Sequence, residues 1–129
     1  MADPLSSALA EILAPVASVT VEDDGALTVR HDGTVASLRT VAIAEGLEMV
    51  SLTQMLAWDL PWTAELTESV AALARTTTLG TVSLAGQPDG CADVVLRYNF
   101  PGGGLRADAL RTLILMVLAG GAEARRALS

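Results

Sequence analysis

The stretch from Thr34 to Trp58 constrains this chain more than any other part of it. It is rich in apolar and β-branched residues and is interrupted only by Glu45-Gly46, which reads as a two-residue turn. Folding the stretch about that turn puts Val35, Val41, Ile43, Val50, Leu52 and Leu56 on one face. It puts Ala36, Leu38, Ala42, Leu47, Met49 and Met55 on the other. Neither face is polar throughout. A sheet with apolar side chains on both faces has to cover both. Helices of the same chain can cover one face, and a second chain is the expected cover for the other.

The flanking sequence supplies those helices. Asp3 and Pro4 read as the N-cap and first residue of a helix whose apolar stripe is Leu5, Leu9, Ile12 and Leu13, and Pro15 stops it. Val19 and Val21 alternate with polar residues before a turn at Asp23-Asp24-Gly25. Leu27 and Val29 continue as a strand, and Asp32-Gly33 makes the next turn. After the long stretch, Pro61 is expected to open a second helix with Leu66, Val70 and Leu73 buried, ended by Thr76-Thr77-Thr78. Val82 and Leu84 mark one strand of a hairpin, and Val94, Leu96, Tyr98 and Phe100 the other. Pro101-Gly102-Gly103-Gly104 breaks the pattern. A last helix then starts near Ala107, with Leu110, Leu113, Ile114, Val117 and Leu118 as its stripe. Leu115 and Met116 fall off that stripe, and Gly120-Gly121 is expected to bend or end the helix's apolar part. The order helix, strands, helix, hairpin, helix predicts an α+β fold. An antiparallel sheet carries helices packed on one face, in one domain over residues 1–129.

Composition narrows the partners. The chain has 129 residues and a formal net charge of −7. A nucleic-acid binder needs a basic face to displace counterions, and an anionic membrane makes the same demand, so neither is expected as a partner. Aromatic residues make up only 3% of the chain, so the core must be aliphatic. All eight basic residues are arginine, a mark of a GC-rich genome such as an actinobacterium's. The lone cysteine, Cys91, has no intramolecular partner, which fits a reducing cytoplasm. Met1-Ala2-Asp3-Pro4 lacks the positive region of a secretory signal, and Leu110–Ala119 is too short to span a bilayer, so a cytoplasmic location is expected.

Catalytic chemistry finds little to stand on. His31 is the only histidine, and beside Asp32 it reads as a solvated turn residue, because a metal needs several converging donors. Cys91 follows a turn and has nothing placed to activate it. Gly102-Gly103-Gly104 precedes a helix but lacks the lysine and threonine of a phosphate loop. Glu65 and Glu68 read as a solubilising helix face. No cofactor, metal or catalysis is expected. Trp58 and Trp62 bracket Asp59-Leu60-Pro61 and either lock that corner into the core, the favoured reading, or present an anchor to a partner. Met49 and Met55 suit either a core gap or an adaptable binding surface.

The layout resembles the type III secretion chaperone-like fold and, within it, the YbjN family. The pieces that carry the resemblance are Glu22-Asp23-Asp24-Gly25 between early strands, Asp59-Leu60-Pro61 before the middle helix, and Val95-Leu96-Arg97-Tyr98 followed by the glycine-rich link and Leu105. The helix from Asp108 to Leu118 fits as well, and the likeness runs from about Leu5 to Leu128. The resemblance implies a homodimeric, chaperone-like module that captures an extended segment of a client protein. It implies a peptide-binding surface on the first helix and early strands, at Leu5, Leu9, Ile12, Met49, Met55 and Trp58. It also implies a dimer interface on the middle helix and following hairpin, with the surplus apolar residues of the last helix: Leu66, Val70, Leu84, Leu115 and Met116. The alternative is a regulatory or scaffold domain that binds a single folded partner. An enzyme or small-ligand receptor comes third, and would need a deep pocket with converging polar groups.

Overall fold

The structure, a computed structural model, describes residues 4–128. Its elements run α1 (Pro4–Leu13), β1 (Ser18–Val21), β2 (Leu27–His31), β3 (Thr34–Ala44), β4 (Leu47–Pro61), α2 (Ala64–Thr76), β5 (Thr81–Gly86), β6 (Cys91–Pro101) and α3 (Ala107–Leu128). The six strands form one antiparallel sheet in the order β1-β2-β3-β4-β6-β5. Short turns make β1 to β4 a meander. Asp32 and Gly33 both adopt positive φ in the β2–β3 turn, the backbone that a tight hairpin needs. The α2 excursion then returns the chain so that β6 pairs with β4.

The register sorts the side chains into two faces. One row across the sheet is Leu27, Leu38, Leu52 and Tyr98, and the next is Val29, Ala36, Gln54, Leu96 and Val82. These rows face the helices. α1 contributes Leu5, Leu9 and Leu13, α3 contributes Leu110, Ile114, Val117 and Leu118, and α2 adds Val70 over β5. Burying these aliphatic side chains removes apolar surface from water at about 25 cal/mol per Å2, and this drives the fold. The opposite face carries the row Arg30, Val35, Met55, Val95 and Ser83 and the row Thr28, Ser37, Thr53, Arg97 and Thr81. It is more polar than the sequence reading expects, and no helix among the described residues lies over it. The α+β sheet with helices on one face is therefore as expected, while the apolar second face is not.

The cause is one residue. The turn at Glu45-Gly46 pairs Ala44 with Leu47, but the next pair is Ala42 with Glu48, so Ile43 is an extra residue in β3. Side chains in a strand alternate with period two, so one extra residue exchanges the faces. Below this bulge Val35 and Val41 join Met55 and Met49, while Ala36 joins Gln54 and Leu38 joins Leu52. The sequence reading paired them the other way.

Two further expectations are corrected. Pro61 ends β4 and does not open a helix, because Trp62 N–H still bonds to Gly90 O across the sheet. α2 starts at Ala64 behind Thr63, whose Oγ1 accepts the Leu66 N–H at 3.1 Å. α3 runs unbroken through Gly120-Gly121 to Leu128. Gly121 is buried, and a Cβ there would overlap the amide of Gln54. The glycine thus serves helix-to-sheet packing. The Asp3 cap expected for α1 lies outside the described residues.

Candidate protein-binding surface

β2 stops pairing with β3 at Leu27 and Leu38, and β6 pairs with β4 only from Met49 and Pro101 onward. Residues 41–48 therefore overhang the sheet as a two-stranded arm, rooted where Gly102 N–H donates to Glu48 O at 3.0 Å. Among the described residues, β3 from Val41 to Ala44 has a ladder partner on one side only, β4. Its side chains break the apolar-in, polar-out rule. Val41 is 44% exposed, Ile43 62% and Leu47 40%. Exposed apolar residues next to an unpaired strand edge form a template for another polypeptide.

A notch of about 410 Å3 lies between the arm and the β1–β2 turn. Val21, Val41, Glu22, Asp23, Asp24 and Arg39 line it, with Ser6 at its edge. Ser6 Oγ donates to Gly25 O at 2.9 Å and ties α1 to that turn. Asp24 accepts the Ala26 N–H at 3.1 Å and pairs with Arg39 at 2.8 Å. The backbone hydrogen bond first, and then Arg39, hold the Asp24 carboxyl below the usual carboxylate range. Thr28 donates to Glu22 at 3.2 Å.

No protein-family model matches the sequence, and no curated protein matches it by sequence. Solved structures match it in shape. YbjN from E. coli, a protein proposed to regulate transcription, superposes with a TM-score of 0.72 over 92% of this chain and 86% of that one, at 14% identity. The fold is YbjN-like. It is also similar to the Yersinia pestis type III secretion chaperone SycH, crystallised in complex with a stable fragment of YscM2. That TM-score is 0.55, at 13% identity, over 92% of this chain and 98% of that one.

The YbjN-like frame separates the residues expected to bind a client. Leu5 and Leu9 are not surface residues. Leu9 is 1% exposed, and both pack in the core that α1 forms with α3 and the sheet, because the α1 stripe is the chain's own cover for its buried face. Ile12 is half-buried at the margin of that core. Met49 and Met55 lie on the uncovered sheet face, and Met49 pairs across the arm's base with Val41. Trp58 and Trp62 are both about half exposed, contrary to the packed corner favoured from sequence. Trp62 lies against Gly86, where a Cβ would strike its ring, and its Nε1–H donates to Thr67 Oγ1 at 2.9 Å. Two irregularities in the β4–β6 register near Ala57 and Leu60 turn this corner outward.

The residues expected at a dimer interface also divide. Val70 is buried on the sheet side of α2, with Leu66 of α2 and Leu84 of β5 half-buried, because they are the packing between α2 and β5. Leu115 is half-buried, and Met116 stands 57% exposed. Met116 borders a groove of about 700 Å3 between α2 and α3, lined also by Leu73, Leu79, Gly120, Ala124 and Ala127.

His31 ends β2, paired with Thr34 and half-buried, and its carbonyl accepts from Thr34 Oγ1 at 2.6 Å. Among the described residues no three His, Cys, Asp or Glu side chains come together as metal ligands. Partial desolvation, then the negative charges of Asp89, Asp59 and Asp93, push the Cys91 thiol up and disfavour its thiolate. Gly102 packs against Val50, Leu5 and Leu110, a close approach that explains the glycine in the strand-to-helix link. No helix among the described residues is long and apolar enough to cross a membrane. Sequence reasoning missed the arm as a site. The signal was present in Val41-Ala42-Ile43-Ala44, four apolar residues in succession where a half-buried strand would alternate.

Proposed function

We propose that this chain is a non-catalytic, cytoplasmic protein-binding module that captures an extended segment of a client protein on the β3–β4 arm. The observation that carries the reading is the overhang itself. Val41, Ile43 and Leu47 are exposed beside a strand edge that has no ladder partner among the described residues from Val41 to Ala44. A segment laid along that edge gains main-chain hydrogen bonds from β3 and hides apolar side chains against Val41 and Val21. Met49 at the arm's base extends the same surface. The fold shared with SycH, a secretion chaperone crystallised with a protein fragment, supports a binding role over a catalytic one.

An unfolded reporter protein, labelled for fluorescence anisotropy, tests this reading. Ile43→Asn together with Leu47→Asn should weaken binding at least about tenfold. The thermal midpoint should stay within a few degrees, since both side chains are exposed. Undiminished binding by the folded variant would overturn the proposal, as would a wild-type chain that binds no reporter. A second copy of the chain is the other partner we propose, seated on the groove beside Met116. An apolar groove of that size between two helices favours it.

A further inference from the structure

We infer that the segment received by the arm is cationic at both ends, an extended stretch with a lysine or arginine beside the β1–β2 turn and another beside the arm's tip. This rests on the arm being the capture site. A strand added to the open edge of β3 would take the place that β2 vacates, so its inner end would abut the turn that follows β1. That turn carries Glu22, Asp23 and Asp24, and the one base lining the notch, Arg39, is already bound by Asp24. Its outer end would reach Glu45 in the arm's own turn. The four residues Val41–Ala44 span about 13 Å at the rise of a β-strand, so the two acidic ends bracket a short apolar track. Charge therefore selects the occupant. Each end offers surplus negative charge, and between them Val41 and Ile43 offer apolar surface.

The same arithmetic disfavours a second copy on this edge. Antiparallel pairing of two β3 edges brings the tip of each arm toward the notch of the other. Glu45 would then approach Glu22 and Asp23 of its mate, and like charges would oppose the pairing. The acidic ends equally reject an acidic segment.

The test uses the full chain and three fluorescent peptides, each with the same alternating valine and threonine centre. One is flanked by lysines, one by serines and one by glutamates. At low salt the lysine-flanked peptide should bind about tenfold tighter than the serine-flanked one, and the advantage should vanish near 0.5 M salt, roughly where screening becomes short-ranged. Asp23→Lys with Glu45→Lys, at two exposed positions, should reverse the preference toward the glutamate-flanked peptide. Ile43→Asn should weaken the lysine-flanked peptide, which ties the effect to the arm. Equal binding of all three peptides, lost on Ile43→Asn, would overturn the charge inference while leaving capture by the arm intact. Binding of none would overturn both. Lysine-peptide binding that ignores Ile43→Asn would place the site elsewhere and end the inference. So would a wild-type self-dimer that Ile43→Asn dissolves.

Discussion

Gln54 is the residue whose setting reveals most about how α3 is held. It lies fully buried in β4, its Nε2 donating to Thr34 Oγ1 at 2.8 Å and to Leu118 O at 3.1 Å, while its Oε1 has no partner among the described residues. Thr34 passes the connection to His31 O. A buried amide at a helix-to-sheet contact fixes the register of the helix, since sliding α3 would strand a donor. Gly121 makes the room for it. Gly121→Ala should cost about 2–3 kcal/mol by overpacking, although alanine is the better helix former. In a Gln54→Ala background the same substitution should cost at least about 1 kcal/mol less, a coupling read from a double-mutant cycle in urea unfolding. Additive costs would mean that the two do not share one space. Read from sequence, Gly120-Gly121 bends or ends the apolar part of the helix because glycine propensity is local, whereas the need for a bare Cα comes from a side chain far away in the chain.

At the scale of elements, the turns, strands and helices were largely legible, because hydrophobic period and turn residues are local signals. The β3–β4 pairing was not. The turn at Glu45-Gly46 is in the sequence, but the bulge at Ile43 is set by strand twist and by which face the helices cover, and neither is written locally. This predicts an asymmetry between two deletions. Removing Ile43 should leave a regular hairpin, Ala44 on Leu47 and Ala42 on Glu48, with the core rows untouched and a thermal midpoint within a few degrees of wild type. Removing Ser37 should turn Leu38 away from the core and unfold the chain. Circular dichroism melts of the two deletions check this. A Ile43 deletion as damaging as that of Ser37 would mean the extra residue is structural. Leu5 and Leu9 failed as surface residues for a related reason. One stripe on a short helix serves either the chain's own sheet or a partner, and here the sheet takes it.

For the molecule as a whole, the surplus apolar surface read from sequence is present at Met116 on the last helix but is smaller than expected on the second sheet face. The uncovered sheet face is mostly Ser, Thr and Arg, and exposed apolar side chains stand on the arm, at the Trp58–Trp62 corner and at Met116 beside the groove. Size exclusion with light scattering should find a dimer at high micromolar concentration. Met116→Asp should release monomers of unchanged fold, because a charge inside an apolar interface is strongly unfavourable. A wild-type monomer at that concentration would remove the groove as an interface. The overhanging arm has one more consequence. Carboxylates on and around it are all that keep so greasy an open edge from finding others of its kind. Raising the salt to about 1 M screens them to within roughly 3 Å. The wild-type solution should then cloud into fibres that bind thioflavin, while the Val41→Asn, Ile43→Asn chain stays clear far longer.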